Sequence, residues 1–363
     1  MSQGPEQVIL DEPEMLKGFL GRKYLPPPEK ASHFKNRRID KLYKTKRAHV
    51  IVNPFSGHKK GIEVGDFVAK ELSDTKIKVE SYKTDEPEHA ISIIKDLTLD
   101  PNDIIVSVGG DGTFCEVITG LMLRSDSAYK EIPLALVPAG SGNSQANDME
   151  IMDYMNAIER IFAGRLRKMD IGKVSFTLDD KQEDDWDEDY SDDTESDLLE
   201  TRYSHNLVGW GLGVDSNLLA EKMRFLGPLR YDLGALMSII RGRVRKARCY
   251  IDGHLIDSAF VLLLIQNTKT GGDGLTLAPM AQVDDGKMDL GVIYHIGRLK
   301  VLKMFNQLKS EGSHVWNPNV EFYRFSTLRI ETDEPTPINI DGENIGFTPI
   351  DIEVLPAAIT IFH

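Results

Sequence analysis

Cysteine is nearly absent from this 363-residue chain, which holds only Cys115 and Cys249. So few cysteines argue against a disulfide framework and against a cysteine zinc site, and a reducing compartment fits. Long apolar runs are missing as well. No stretch of 18 or more apolar residues occurs, so no transmembrane helix is expected. The opening residues, MSQGPEQVILDEPEMLKGF, lack a basic region followed by an apolar core, and no signal peptide is expected. Ser2 stands where myristoylation needs glycine, and the final TIFH is not a prenylation box. The histidines, His89, His205 and His295 among them, show no metal-ligand spacing and receive no site role. No nucleic-acid motif occurs, and the sequence specifies no oligomeric state.

Charge is present but lopsided. The net charge is −14, and residues 179–200 alone, with 13 acids against one lysine, contribute −12 of it. That composition buries too little apolar area to offset its ordering entropy, so a disordered loop is expected there. Residues 29–47 are basic, from Lys30 to Arg47. They read either as a solvated arm or as a patch drawn to an anionic lipid surface.

From residue 48 the text alternates. AHVIVNP, IKVESYKT, DIIVSVGG and PLALVPAG read as strands, and helical patterns lie between them. Short, continuously apolar strands alternating with helices predict a doubly wound parallel sheet. After Lys168 the segments become strand-rich, with helical patterns near 217–241 and 297–311. The expected fold is α/β plus mainly β, with an N-terminal parallel-sheet nucleotide domain and a C-terminal antiparallel β-sandwich carrying a few helices. The expected boundaries are an extension at 1–46, the first domain at 47–165 and the second at 166–363.

Three glycine-rich turns follow strands of the first domain: NPFSGHKKG (53–61), GGDGTFCE (109–116) and PAGSGNSQAN (138–147). In an open parallel sheet, ligands bind beyond the carboxyl ends of the strands, so the three turns share one edge. Glycine lets a phosphate approach the backbone, and a helix N-terminus offers unpaired N–H groups. Ser56, Thr113 and Ser141 can add hydroxyl donors. No turn matches the Walker pattern or G-x-G-x-x-G. Asp111 stands apart, because a carboxylate beside a polyphosphate is repelled unless it binds a cation or moves a proton. Phosphoryl transfer uses both roles. A plain turn aspartate is the other reading.

GGDGTFCEVITGL together with VPAGSGNS resembles the catalytic domain shared by diacylglycerol, sphingosine and ceramide kinases. WGLGVDSNLLAEKMRFLGPLRYDLG (210–234), VDDGKMDLGVI (283–293) and NIDGENI (339–345) extend the resemblance over roughly 46–363. The resemblance implies a cytoplasmic, reversibly membrane-associated lipid kinase that uses ATP and Mg²⁺, with ATP in the cleft between the domains. It places Asn53, Ser56, Gly57, Thr84, Gly109, Gly110, Gly112 and Thr113 around the nucleotide. Gly140, Ser141 and Gly142 would cradle phosphates, and Arg224 and Arg230 would reach them from the second domain. Glu343 would serve Mg²⁺, with Asp341 and Gly342 nearby, and Asp111 would be the general base on the lipid hydroxyl.

Asp215 and Asn217 bear on which lipid is used. Sphingosine kinases carry acids at both positions, and here the second is an amide, which loses the attraction to an ammonium. The string as a whole lies nearest the sphingosine and ceramide kinase branch, so a sphingoid base is the expected substrate, with ceramide or diacylglycerol as alternatives. The apolar residues of 217–241, Leu233, Leu236, Met237 and Ile240 among them, read as a core-facing helix pair or as a wall for an acyl chain. The basic run 241–248 reads as a solvated helix end or as a contact with an anionic leaflet.

Overall fold

A computed structural model describes residues 38–39, 42–126, 131–140, 142–178, 199–223, 229–271, 274–308 and 312–363. Ser141 and Arg224 lie outside these residues, as do positions 1–37 and the acidic stretch 179–198.

The first half is built on four parallel strands: β1 (Arg47–Val52), β2 (Lys78–Lys83), β3 (Asp103–Gly109) and β4 (Pro133–Pro138). Their spatial order is β2-β1-β3-β4. Every residue of β3 is buried, as a parallel strand covered on both faces requires. Helices α1 (Gly61–Asp74), α2 (His89–Asp96), α3 (Asp111–Met122), α4 (Ser144–Asp148) and α5 (Tyr154–Ala163) connect and flank them. Helix α5 shows how locally the chain specifies its ends. The Asp153 side chain accepts from the Asn156 N–H at its start, and Gly164 closes it at φ +65°.

The register decides where the turns lie. Val52 pairs with Lys83 and Val108, and Gly109 pairs with Pro138. The carboxyl ends of the four strands are therefore level, and the segments leaving them at Asn53, Thr84, Gly110 and Ala139 share one edge.

The second half is antiparallel. It comprises β5 (Leu166–Thr177), β6 (Leu199–Ser204), β7 (Leu207–Gly211), helices α6 (Leu212–Lys222) and α7 (Leu229–Arg241), β8 (Arg245–Ile251), β9 (His254–Gln266) and β10 (Met288–Tyr294). Helix α8 (Arg298–Leu308) then leads to β11 (Val320–Phe325), β12 (Thr327–Glu331), β13 (Pro337–Ile340) and β14 (Glu343–Phe362). The core between its layers holds Phe176, Trp210, Leu263, Ile265, Ile330 and Ile352. Strand β14 runs 20 residues. It pairs with β13 and β12 near its start, with β5 along most of its length, and in parallel with β4 at Thr360–Ile361. Ile359, Ile361 and Phe362 consequently belong to the first domain's core, so the chain's last strand joins the two halves.

Two expectations need correction. Leu199 and Glu200, assigned to the acidic loop by composition, open β6, where Leu199 pairs with Thr177 and Glu200 with Phe176. A cross-strand ladder outweighs the acidic context. The apolar residues of α7 also divide differently. Ala235 and Ile239 are buried, whereas Leu233, Leu236, Met237 and Ile240 are exposed. These four neither fill the core nor line the cavity described below.

Candidate active site

The three glycine turns meet at the shared edge with very little room between them. A Cβ on Gly140 would lie 2.6 Å from Gly110 Cα and 2.8 Å from Asn143 Oδ1. Gly57, at φ +55°, turns its α-carbon toward the third turn, where a Cβ would lie 2.2 Å from the Ala139 carbonyl oxygen. Asn53 Nδ2 donates to Thr113 Oγ1 at 3.0 Å, and Asn53 Oδ1 accepts from the Phe55 N–H at 2.9 Å. Thr84 is buried beside them, its N–H bonded to the Val52 carbonyl at 3.0 Å. Ser56 opens the single helical turn between β1 and α1. Gly112 differs from the others, because nothing lies within 4 Å of a Cβ placed there. A rigid, close-packed glycine wall with one open face beside the α3 N-terminus suits a phosphate group.

Asp111 is the first residue of α3. Its Oδ2 accepts from the Ser144 N–H at 2.9 Å and its Oδ1 from the Gln145 N–H at 3.0 Å. The carboxylate thus fixes the start of α4 and keeps a fixed direction in the cleft. Behind it lies a buried pair to which no site role was expected from sequence. His205 Nδ1 is 3.0 Å from Gln145 Oε1, and its Nε2 is 3.4 Å from the Asp111 carbonyl oxygen. The ring also packs edge-on against Phe114. The absence of metal-ligand spacing said nothing about this support, because the contacts join residues 60 and 94 positions apart.

Asp341 and Gly342 form the two-residue turn between β13 and β14, with φ of +48° and +100°. Both positive values match the Asp-Gly preference of such hairpins. The Asp341 carboxylate accepts from Ser204 Oγ and from the N–H groups of His205, Asn206 and Leu207, at 2.7–3.1 Å. Cys115 Sγ adds a 3.4 Å contact. Asp341 therefore anchors the β6–β7 connection to the hairpin, and its acceptors face that connection. Cys115, His205 and Asp341 place ligand atoms within 4.8 Å of one another. Burial, and then Asp341, push the Cys115 thiol well above its usual range, so it is a protonated donor rather than a thiolate ligand.

Glu343 stands at the rim of the same hairpin. Loss of water from the packing beneath it pushes its carboxyl above the usual range, and Glu116 and Glu88 add to the effect while Arg202 opposes it. Glu116 is raised in the same way, by burial first. Oxygen donors that resist carrying their charge unaided are the chemistry a hard cation such as Mg²⁺ relieves, and Glu343 fits that role.

A cavity of about 630 Å³ opens beside Asp111 and runs into the second domain. Gly142, Ser144, Asn217 and Asp341 share its polar end with Asp111, and Leu264, Ile293, Met304 and Phe322 line its apolar part. Such a volume and lining suit a lipid-sized ligand. Asn217 also donates to the Gly342 carbonyl at 3.3 Å. Asp215, expected from the sequence at the lipid headgroup, is instead gripped by Arg245 through two bonds of 2.8 and 2.9 Å. It does not line the cavity. Arg230 lies in the first turn of α7. The basic run divides in two. Arg245 and Arg248 lie on β8 and pair with acids, whereas Arg241 and Arg243 are exposed, Arg243 reaching Asp215 only at 3.9 Å.

Asn143 carries structure that was not singled out. At φ +51° it holds both the N–H and the carbonyl of Gly140, at 3.0 and 2.8 Å. An asparagine after a Ser-Gly turn is a recognisable left-handed signal.

Comparison with known proteins agrees with this layout. A diacylglycerol kinase catalytic domain matches residues 47–174, and a YegS C-terminal NAD kinase beta sandwich-like domain matches residues 206–363. Sphingosine kinase 2 of Arabidopsis thaliana is 27% identical over 362 residues, covering 84% of this chain and 70% of the plant protein. A diacylglycerol kinase of Staphylococcus aureus is 25% identical over 327 residues, covering 87% of this chain and 92% of its own. The crystal structure of a Bacillus anthracis diacylglycerol kinase superposes with a TM-score of 0.65 at 20% identity, covering 88% of this chain and 98% of that one, and shows the same fold. The chain therefore carries a diacylglycerol kinase catalytic domain followed by a YegS-type β-sandwich domain, and it resembles proteins named diacylglycerol kinase and sphingosine kinase.

Proposed function

We propose that the protein phosphorylates the primary hydroxyl of a sphingoid base with ATP and Mg²⁺, and that Asp111 is the general base. One observation carries this reading: Asp111 lies where the glycine cradle meets the lipid-sized cavity. A hydroxyl at the polar end of the cavity would face a carboxylate whose orientation Ser144 and Gln145 already fix. The glycine turns and the α3 N-terminus would hold the phosphates, and Glu343 would hold Mg²⁺, which spreads the charge of the transferring group. Arg230 would add a guanidinium to the same phosphates, as would Arg224, which lies outside the described residues.

Ceramide or diacylglycerol is the second reading. It is favoured by the Asp215–Arg245 pair, which leaves that carboxylate unavailable to an ammonium.

The lipid would be taken from a membrane surface. Among the described residues no helix is long and apolar enough to cross a membrane. Leu229, Leu233, Leu236, Met237 and Ile240 instead form an exposed stripe along α7, with Leu299 exposed on α8 and Arg241, Arg243, Lys300 and Lys303 exposed around them. An apolar stripe bordered by cations suits contact with an anionic leaflet. The same helix lines the cavity with Asp232 and Ala235, which places this face next to the lipid site.

The test is phosphate transfer from labelled ATP to sphingosine, ceramide and diacylglycerol, presented separately. Transfer to sphingosine supports the first reading, transfer only to ceramide or diacylglycerol replaces it with the second, and transfer to none removes the kinase assignment.

A further inference from the structure

We infer that Gln266 is a specificity-determining residue of the cavity, selecting lipids that carry a hydrogen-bond donor and an acceptor together beside the reacting hydroxyl. The inference rests on the lipid-kinase reading above and deepens it.

Gln266 ends β9 and breaks that strand's pattern. Side chains alternate across a strand. Leu263 and Ile265 enter the sandwich core, while Leu262, Leu264 and Gln266 line the cavity. The third member of the cavity series is thus an amide where the first two are leucines. It is 1% exposed, and neither its Nε2 nor its Oε1 has a partner among the described residues. Buried amides normally have both groups satisfied, and an orphaned pair costs stability. Such a group persists where a ligand supplies what the fold withholds.

Its place fixes which part of a ligand it meets. Gln266 pairs across the sheet with Leu207, whose N–H is held by Asp341. Three and four residues on, the chain reaches Lys269 and Thr270, and Thr270 bonds Asp148 and the Ser144 carbonyl of α4, the helix that Asp111 caps. Gln266 is therefore at the headgroup end of the cavity.

The unmet groups state the required chemistry. Nε2 needs an acceptor and Oε1 needs a donor. A secondary hydroxyl or a secondary amide supplies both. The ester carbonyls of a diacylglycerol supply acceptors alone and would leave Oε1 unpaired. A site built to bond a polar group discriminates strongly against the analogue that lacks it.

The experiment compares wild type and Gln266→Leu on three lipids: a long-chain 2-amino-1,3-diol, its 3-deoxy analogue and 1,2-diacylglycerol. Phosphate transfer is measured, together with lipid-induced thermal stabilisation as a turnover-independent readout of binding. The expected result is that wild type favours the diol over its deoxy analogue by at least about tenfold in both readouts. Gln266→Leu abolishes that preference and leaves diacylglycerol unimpaired. An equal effect of the variant on all three lipids, or no effect on any, overturns the role of Gln266. Loss of binding preference in the variant, with no phosphate transfer by wild type, supports Gln266 and overturns only the kinase reading. A wild type that neither binds nor phosphorylates any of the three overturns both.

Discussion

Asp111 caps the helix that begins at Ser144: the Ser144 N–H donates to Asp111 Oδ2 at 2.9 Å, and the neighbouring Gln145 N–H donates to Oδ1 at 3.0 Å. The residue assigned to proton transfer is therefore also a structural acceptor. Asp111→Asn exchanges one acceptor for an NH₂ group that faces a peptide N–H. Turnover should fall at least about 10²-fold, the usual scale for a lost general base. Urea unfolding should show a loss of about 1–2 kcal/mol from the mismatched cap. Near-normal turnover in a variant that shows the stability loss would remove the base assignment and leave Asp111 as a cap.

Two glycines of the cradle should separate packing from ligand approach. At Gly140 a Cβ meets Gly110 Cα at 2.6 Å, whereas at Gly112 it meets nothing within 4 Å. Gly140→Ala should lower stability by about 1–3 kcal/mol and weaken ATP binding together, because the two turns must move apart. Gly112→Ala should keep or slightly raise stability, since alanine suits the first turn of a helix, while raising the KM for ATP about tenfold or more. Thermal unfolding paired with ATP titration reads both. Unchanged ATP affinity in Gly112→Ala would place the phosphates elsewhere.

The contrast between these glycines shows what the sequence could and could not convey. The glycine turns were legible because parallel strands put every carboxyl end on one edge, whatever the exact register. The apolar spacing along α7 was legible as a stripe, but spacing does not say what covers a stripe, and Leu233, Leu236, Met237 and Ile240 stay uncovered. The Asp215–Arg245 pair depends on how α6 meets β8, 30 residues later, so Asp215 read as a free headgroup acid. Asp341 satisfied two sequence readings at once, a hairpin turn and a cleft residue. Only the fold shows that its carboxylate spends its acceptors on residues 204–207. Gln266 gave no signal, because a polar residue ending an apolar strand is ordinary until its partners are counted.

His314 should make the protein acid-sensitive. Its Nε2 bonds the Leu277 carbonyl at 2.9 Å, and burial lowers its pKa to about 4. The unfolded chain titrates near ~6.5 and so binds more protons between these values. The contribution to stability is full above pH ~6.5 and is lost as pH falls toward 4. Between pH 7 and 5 this group alone should cost about 2 kcal/mol. Urea unfolding at both pH values should show a drop in wild type that shrinks by about that amount in His314→Gln. Equal drops in the two proteins would mean that His314 does not titrate in this window.

The exposed stripe on α7 should matter only at a membrane. Leu236 and Met237 are adjacent, exposed and outside both the core and the cavity lining, so replacing both with glutamate should leave the fold intact. Each such side chain gains about 1.5–3 kcal/mol when fully removed from water, and the added charges are repelled by an anionic leaflet. Sedimentation with phosphatidylserine-containing vesicles should therefore weaken more than about tenfold. Phosphorylation of vesicle-borne lipid should fall in parallel, while phosphorylation of the same lipid in neutral detergent micelles should stay within about twofold of wild type, because the cavity and Asp111 are untouched. Equal losses in vesicles and micelles would instead place Leu236 and Met237 on the substrate path, and unchanged vesicle binding would move the membrane-facing surface off α7.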